Sequence, residues 1–223
     1  ASKIALALDP EVLWHSFHAL GFGSGTGLGF PGESPGYLPD YQGWREIEHA
    51  TLAFGYGLSS TTAQLAQAYG VFANDGRLVP LTLEHRAQAP PGVRVYSGET
   101  ARAVLRMMQG VVEVGTARLA AVPGYRVAGK TGTVHKLLED GYATDRYLSL
   151  FAGLVPATRP RLAAVIMIDE PQGGEYYGGR VAAPVFAAIM REALRLMNVP
   201  PDDPPSLPTH VVALRETPPP PVW

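Results

Sequence analysis

The chain has 223 residues, of which 46% are hydrophobic, and this apolar content is sufficient for one domain with a substantial core. Its 18 basic and 20 acidic residues are scattered and give a formal net charge of −2, so the sequence predicts no nucleic-acid-binding surface. Cysteine is absent, which excludes disulfides, thiolate metal sites and cysteine nucleophiles, and the dispersed histidines predict no metal site.

Helix signals flank a long irregular stretch in the first third of the sequence. An Asp-Pro dipeptide favours a helix that begins at Pro10, and Gly21 can end it. Residues 21–58 are rich in glycine, proline and aromatic residues, which predicts a surface excursion without regular structure. Thr61 and Gln64 then form a capping-box pattern at the start of another helix. The predicted buried face of that helix consists of Leu65, Ala68, Tyr69 and Phe72.

The second half of the sequence predicts a sheet between helices. Residues 97–113 have helical periodicity. Strand-like runs follow at about 125–135, 147–155 and 161–168. The link "PATRP" between the last two runs is short, so these two strands are predicted to form an antiparallel hairpin.

The C-terminal part predicts one more helix and then a tail. Pro184 suits the first position of a helix over 184–197. Its predicted buried face consists of Ile189, Ala193 and Met197. Residues 199–223 are rich in proline and predict a tail without a packed core. The predicted fold class is therefore α+β, with an antiparallel sheet flanked by helices.

One segment of the predicted sheet fits two kinds of ligand site. Residues 124–131 satisfy the phosphate-loop pattern G-x-x-x-x-G-K-[ST], and "LAAVIMIDE" at 162–170 resembles the strand that holds magnesium in P-loop ATPases. A phosphate loop must open directly into a helix, whereas the residues that follow Lys130 favour extended backbone. The predicted hairpin also makes the second strand antiparallel, and P-loop sheets are essentially parallel. Nucleotide binding is therefore the weaker interpretation.

The stronger interpretation is a strand that binds a peptide carboxylate. Lys130 supplies positive charge, and the hydroxyls of Thr131 and Thr133 can hydrogen-bond a carboxylate. Gly132 has no side chain, so a peptide backbone can approach the strand edge there. A backbone N–H on that edge can also contribute to an oxyanion hole. Taken alone, these residues leave open that the strand is an ordinary solvated edge.

Five stretches in matching order resemble the transpeptidase domain of class B penicillin-binding proteins. They are the tetrapeptide K-T-G-T at 130–133, "EHATLAFGYGLSSTTAQLAQAYGVFANDG" at 48–76, "MMQGVVEVGTA" at 107–117, "FAGLVPATRPRLAAVIMIDEP" at 151–171 and "YYGGRVAAPVFAAIM" at 176–190. Within that family the chain is most similar to the cell-division transpeptidase of Gram-negative bacteria, which crosslinks septal peptidoglycan. The resemblance implies the penicillin-binding and serine β-lactamase-like fold, with residues 1–198 as the C-terminal portion of the domain and 199–223 as its tail.

The resemblance also implies acyl transfer through a serine ester formed with the D-Ala-D-Ala end of a stem peptide. In this interpretation Lys130 supplies charge and supports a proton network, while Thr131 and Thr133 bind the substrate carboxylate. The backbone N–H of Thr133 is one of two oxyanion donors. Gly132 and Val134 lie on the substrate-binding strand. β-Lactam antibiotics acylate the same serine, and no cofactor is implied.

Aromatic residues are further candidates for substrate binding by the same resemblance. Tyr176 and Tyr177 match an aromatic pair beside the family's pocket, and Phe54 and Tyr56 match a stretch near its cleft. The alternative for all four is an ordinary role in packing. Glu33 matches a loop position to which the resemblance assigns no role.

The nucleophile itself is missing from the sequence. No serine is followed by lysine in the pattern S-x-x-K, and no S-x-N occurs. The resemblance places both motifs upstream of residue 1, so this chain alone is predicted to be inactive and to need the upstream part of the same protein. Implied partners are stem peptides, β-lactams and cell-division membrane proteins, and the implied location is the periplasmic face of the inner membrane. A D,D-carboxypeptidase and a non-catalytic β-lactam sensor or division scaffold remain alternatives.

Overall fold

The computed structural model describes residues 1–139 and 141–204. The α-helices in this part of the chain are α1 (Ser2–Ala5), α2 (Pro10–Ala19), α3 (Glu46–Leu52), α4 (Thr62–Ala73), α5 (Gly98–Glu113) and α6 (Gly178–Leu196). The strands are β1 (Arg77–Leu78), β2 (Val93–Arg94), β3 (Ala128–Leu138), β4 (Gly141–Val155) and β5 (Leu162–Asp169). Short 3-10 turns occupy Tyr41–Gly43 and Arg118–Ala120.

The central element is an antiparallel sheet with the strand order β3-β4-β5, while β1 and β2 form a small separate ribbon. The predicted hairpin of the last two strands is confirmed, with Val155 opposite Leu162. β3 also runs antiparallel to β4 and places Lys130 opposite Ala152. Because β4 occupies one side of β3, the other side of β3 is an open edge within the described residues. The α+β class predicted from the sequence is confirmed.

Helices cover both faces of the sheet. Successive residues of β4 point to opposite faces, so this strand contributes side chains to the core on each side. Phe151 and Val155 pack against α6, whereas Leu154 belongs to the cluster formed with α4 and α5. The rings of Phe151 and Phe186 meet edge to face with centroids 4.8 Å apart, and both side chains are fully buried. Each buried ring stabilises the fold by about 2–3 kcal/mol relative to an exposed one, so this pair fastens α6 to the sheet.

Two paired glycines make room for these rings. Gly129 on β3 lies opposite Gly153 on β4. A Cβ at Gly153 would lie 2.7 Å from the Phe151 ring and 2.9 Å from the Phe186 ring, and a Cβ at Gly129 would overlap the Phe151 ring. Gly129 is the second glycine of the phosphate-loop pattern, and packing of an aromatic ring accounts for its presence.

The prediction that residues 21–58 lack regular structure was wrong, because α3 and the 3-10 turn Tyr41–Gly43 lie within them. The Arg45 backbone N–H donates to one carboxylate oxygen of Glu48 at 2.7 Å, and the Arg45 guanidinium donates to the other at 2.9 Å. Glu48 thereby accepts from a backbone N–H at the start of α3 and places negative charge in the first turn of the helix, which stabilises it. The flanking glycines and aromatic residues obscured this short helical signal.

The capping box of α4 is confirmed, since Thr61 accepts from the Gln64 N–H at 3.1 Å and Gln64 accepts from the Thr61 N–H at 2.8 Å. The predicted buried face was only partly right. Ala68 is buried and the other three predicted residues are half-buried, but Gln64 and Gln67 are buried as well. The Gln64 amide donates to the carbonyls of Ser24 and Pro35, which satisfies its buried nitrogen.

The prediction for the last helix was wrong in its start and in its buried face. α6 begins at Gly178, so Pro184 lies inside the helix rather than at its first position. Ile189 and Met197 are about half exposed. The residues buried against the sheet are Ala182, Ala183, Phe186, Ala187, Met190 and Leu194. Small alanines allow the helix backbone to approach the sheet closely, and the large apolar residues Phe186, Met190 and Leu194 lie on the same face at helical spacing.

Residues 199–203, predicted as the beginning of the tail, pack on the domain. Val199 is buried, and its carbonyl accepts a hydrogen bond from the Tyr125 hydroxyl at 2.6 Å. The rest of the predicted tail, residues 205–223, lies outside the described residues. Across the described ranges, no helix combines the length and the apolar character that crossing a membrane requires.

Candidate active site

The predicted K-T-G-T segment lies in β3, at the open edge of the sheet. Lys130 is exposed, and its ammonium donates to the Thr131 carbonyl at 2.9 Å. The interpretation of this lysine as part of a phosphate loop does not fit the structure, since the residues that follow it continue as strand to Leu138. β5, the strand that ends in Asp169, is antiparallel to its neighbour, so the parallel sheet of a P-loop protein is also absent from the described residues.

The hydroxyls of both threonines are held from the same side, by the start of α6 and by the loop that follows α5. The Thr133 hydroxyl oxygen accepts from the Gly178 backbone N–H at 3.0 Å. The hydroxyls of Thr131 and Thr116 are hydrogen-bonded at 3.1 Å. Two separate elements therefore orient the two hydroxyl groups that the sequence assigns to carboxylate binding.

The backbone of β3 presents alternate residues to the open edge. The Thr131 carbonyl accepts from the Lys130 ammonium, and the His135 N–H donates to the Tyr56 hydroxyl at 3.3 Å, so the polar groups of both residues point away from β4. In an antiparallel strand each residue directs its N–H and C=O to the same side, and the side alternates. Thr133 lies between these two residues and therefore directs its N–H to the open edge.

A cleft of about 600 Å³ adjoins the threonines. It lies between the loop after α5 and the first turn of α6. Its lining comprises Gly115, Thr116, Arg118, Leu119, Thr131, Thr133, Tyr177, Gly178, Gly179 and Arg180. Three of the predicted site residues, Thr131, Thr133 and Tyr177, thus share one cleft. Its walls combine hydroxyl groups, two guanidinium groups and the half-exposed Tyr177 ring.

The predicted tyrosine pair lies directly before α6. Tyr176 stacks on Tyr147 of β4 with ring centroids 4.0 Å apart and contacts the Tyr177 ring at 4.6 Å. The buried Ser149 hydroxyl donates to the Tyr176 carbonyl. These contacts leave Tyr176 half-buried and Tyr177 58% exposed, so Tyr177 is the member of the pair with a surface available to a ligand.

Tyr56 and Phe54 lie further along the β3 edge. The Tyr56 hydroxyl accepts a hydrogen bond from the His135 N–H. The centroid of the Tyr56 ring lies 5.7 Å from that of Phe54 and 5.1 Å from that of Tyr142. Neither residue lines the cleft beside Thr131. The His135 ring nitrogen Nδ1 donates to the Ala143 carbonyl at 2.7 Å, because a carbonyl can only accept. Tyr56 therefore marks the point where the open edge ends.

Sequence reasoning missed several residues that the structure brings to the site. Thr116, Arg118 and Arg180 line the cleft, and Tyr147 supports Tyr176. Thr116 and Arg180 lie within stretches that carried the family resemblance, but their contact with β3 depends on how the loop and α6 pack. Glu33, to which no role was assigned, accepts from the hydroxyl and the backbone N–H of Thr26. These two hydrogen bonds lower the pKa of Glu33 and fasten its loop.

A family model described as the penicillin binding protein transpeptidase domain matches residues 1–191. The chain belongs to this family, and the family predicted from the five stretches is confirmed. Among solved structures, the transpeptidase domain of Burkholderia pseudomallei penicillin-binding protein 3, in its apo form, is similar with a TM-score of 0.85 and 45% identity. That similarity covers 91% of this chain and 62% of the other.

Curated relatives of the chain are named as peptidoglycan D,D-transpeptidases. The probable D,D-transpeptidase PbpC of Pseudomonas aeruginosa is 47% identical over 204 residues, which is 91% of this chain and 36% of PbpC. The D,D-transpeptidase FtsI of Escherichia coli K12 is 44% identical over 202 residues, which is 90% of this chain and 34% of FtsI. The chain therefore spans about a third of the length of these two relatives.

Proposed function

We propose that the chain is the substrate-binding portion of a peptidoglycan D,D-transpeptidase that crosslinks stem peptides through a serine acyl-enzyme. The observation that carries this proposal is the open edge of β3, where two oriented threonine hydroxyls line a cleft and the exposed Lys130 precedes them on the same strand. A peptide added to this edge pairs with the backbone of Thr133. Its terminal carboxylate then receives hydrogen bonds from the hydroxyls of Thr131 and Thr133 and charge from Lys130.

In this proposal the Thr133 N–H acts on the reacting carbonyl and Lys130 acts on the nucleophile. The Thr133 N–H is one of two oxyanion donors, and a donor of this kind is worth about 10²–10³-fold in rate. Lys130 supports the proton network around the nucleophile. Gly132 keeps the strand open to the substrate backbone, and Val134 continues the same binding strand.

The serine nucleophile of this proposal lies outside the chain, because no S-x-x-K or S-x-N occurs in the sequence. An upstream segment of the same protein supplies both motifs. As the family resemblance of the sequence implies, the complete protein in this proposal acts in septal cell-wall synthesis at the periplasmic face of the inner membrane, together with cell-division membrane proteins, and is a target of β-lactams.

Labelling with fluorescent penicillin tests the proposal. The 223-residue chain alone should take up no label, and the protein extended by its upstream segment should be labelled on that segment. In the extended protein, Lys130→Ala should slow acylation by about 10²-fold or more, since general acid–base support is removed. Label on the chain alone, or a Lys130→Ala variant that acylates at the wild-type rate, would contradict the proposal.

Lys136→Ala is the matched control for Lys130→Ala. Lys136 lies on the same strand, but its ammonium is paired with the carboxylates of Asp169 at 2.9 Å and Glu170 at 2.7 Å. These partners, Glu170 first, raise the pKa of Lys136. Acylation should therefore be much slower in the Lys130 variant than in the Lys136 variant.

A non-catalytic β-lactam sensor or division scaffold is the second candidate, which the missing S-x-x-K leaves open. The extended protein separates the two: penicillin labelling with turnover of stem peptides supports the enzyme, while labelling without turnover supports a sensor. Release of D-Ala without crosslinked product would instead support a D,D-carboxypeptidase.

A further inference from the structure

Two arginines in the cleft wall have no part in the proposed reaction. Arg118 lies in the 3-10 turn Arg118–Ala120, and Arg180 lies in the first turn of α6. Both are exposed, and among the described residues neither guanidinium forms an ion pair. Arg126 and Arg146, by contrast, have the carboxylates of Asp203 and Glu170 beside them.

The two arginines are carried by elements that pack against each other and against β3. α6 packs on the 3-10 turn, and Gly179 approaches the Thr116 carbonyl so closely that a Cβ at Gly179 would overlap it. Arg118 donates from Nη2 to the Val114 carbonyl at 3.1 Å, which orients its guanidinium group and leaves further N–H groups for a ligand. The backbone that carries the Arg118 and Arg180 side chains is thus fixed by this packing.

The chemistry of the cleft favours an anion. Beside the two guanidinium groups its walls contain the hydroxyls of Thr116, Thr131 and Thr133. The neighbouring acidic residues, Glu113 at the end of α5 and Glu175 before α6, do not line it. Guanidinium groups bind carboxylates through paired N–H donors, and the hydroxyls supply additional donors.

We propose that this cleft is a second carboxylate subsite, in which Arg118 and Arg180 bind a side-chain carboxylate of an acidic peptide whose terminal carboxylate lies at Thr131 and Thr133. This inference rests on the proposed function, since it takes the β3 edge as the peptide site. The cleft begins at the two threonines, and its volume of about 600 Å³ accommodates a side chain and several backbone atoms. The ligand class is a peptide with one carboxylate beyond its C-terminus.

Competition with fluorescent penicillin tests the subsite in the extended protein. The competitors are peptides ending in D-Ala-D-Ala that carry either glutamate or glutamine at each of the three preceding positions in turn. At one position the wild-type protein should prefer glutamate by about tenfold, the effect of a hydrogen bond to a charged group. This preference should fall in Arg118→Ala and in Arg180→Ala and disappear in the double variant.

Two further variants make the result specific. The double Arg→Lys variant should keep only part of the preference, since lysine retains the charge but loses the planar pair of donors. Arg191→Ala, on α6 but outside the cleft lining, should keep all of it. A wild-type protein that does not distinguish glutamate from glutamine, or a preference that persists in the double alanine variant, would overturn the subsite. Absence of any penicillin labelling in the wild type would instead overturn the proposed function, and the peptide ligand with it.

Discussion

At the scale of single residues, Gly178 shows how closely α6 approaches the candidate site. A Cβ at this position would overlap the backbone carbonyls of Gly132 and Leu150. Only because this side chain is absent can the Gly178 N–H reach the Thr133 hydroxyl at 3.0 Å. The first glycine after Tyr177 therefore allows the start of α6 to contact β3 directly.

Thr116 positions the hydroxyl of Thr131, and substitutions there test whether this orientation matters. Thr116→Val removes the 3.1 Å hydrogen bond between the two hydroxyls while keeping the side-chain volume. Loss of one neutral hydrogen bond should slow penicillin acylation of the extended protein by about 2–10-fold. The rate constants of acylation at several penicillin concentrations would show whether binding or the chemical step has changed.

Thr116→Ser is the control for this prediction, because serine retains the hydroxyl. Its acylation rate should lie close to that of the wild type, and the melting temperatures of both variants should agree with each other. If valine and serine slow acylation equally, the hydroxyl of Thr116 does not orient Thr131.

At the scale of elements, α4 packs on the domain partly through the phenol ring of Tyr69, which lies in an apolar cluster. Tyr69 packs with Phe72 against the cluster that includes Leu105 and Leu154. Burial raises the pKa of Tyr69 to about 12, from an ordinary value of 10.0. The neutral phenol is therefore favoured in the folded state, and an ionised phenolate would have to leave the cluster.

The fold should accordingly lose stability in strong alkali. Between pH 10 and pH 12 the phenol of Tyr69 ionises in the unfolded chain before it ionises in the folded one. The stabilisation is complete below pH 10 and decreases as the pH rises, by up to about 2–3 kcal/mol at pH 12. Urea unfolding of the wild type and of Tyr69→Phe at intervals from pH 8 to pH 12 measures this decrease.

The wild-type and Tyr69→Phe profiles should run parallel up to about pH 9 and diverge above it, with the smaller decrease in the phenylalanine variant. Burial also raises the pKa of Tyr96. Since Tyr96 is present in both proteins, it contributes equally to the pH dependence of their free energies of unfolding. Profiles that stay parallel to pH 12 would contradict the assignment of this slope to Tyr69.

At the scale of the whole molecule, residues 199–203 connect the end of the described chain to the segment before β3. The Asp202 carboxylate accepts from the Arg126 N–H at 2.8 Å and from the Thr158 hydroxyl at 2.7 Å. The Asp203 N–H donates to the Gly124 carbonyl at 3.1 Å. The strand with the candidate site is thus supported at its beginning by residues far away in the sequence.

Asp202→Ala should lower the free energy of unfolding by about 1–3 kcal/mol, because hydrogen bonds to a charged acceptor are lost. Asp203→Ala is the matched control, since its carboxylate has only the long contacts with Arg126 at 3.4 and 3.5 Å. Its effect should stay below about 1 kcal/mol. Thermal or urea unfolding checks both variants, and equal effects would show that the Asp202 contacts do not support the fold.

Local and periodic features were determined by the sequence itself. The start at Pro10, the capping box of Thr61 and Gln64 and the antiparallel partner of β5 all depend on near neighbours in the chain, and all agree with the structure. The K-T-G-T segment was likewise placed on a strand from the residues that follow Lys130. Such features can be predicted from the sequence because their physical causes lie within a few residues along the chain.

Only the tertiary structure decided which residues meet at the site. The buried face of α6 combines alanines with large apolar residues, and no capping side chain marks its start at Gly178, where the helix lies in close contact with β3. Thr116, Arg118 and Arg180 join the threonines of β3 because the loop after α5 and the first turn of α6 pack together. These contacts join residues that are distant along the chain. A local sequence pattern depends only on near neighbours and cannot predict such contacts.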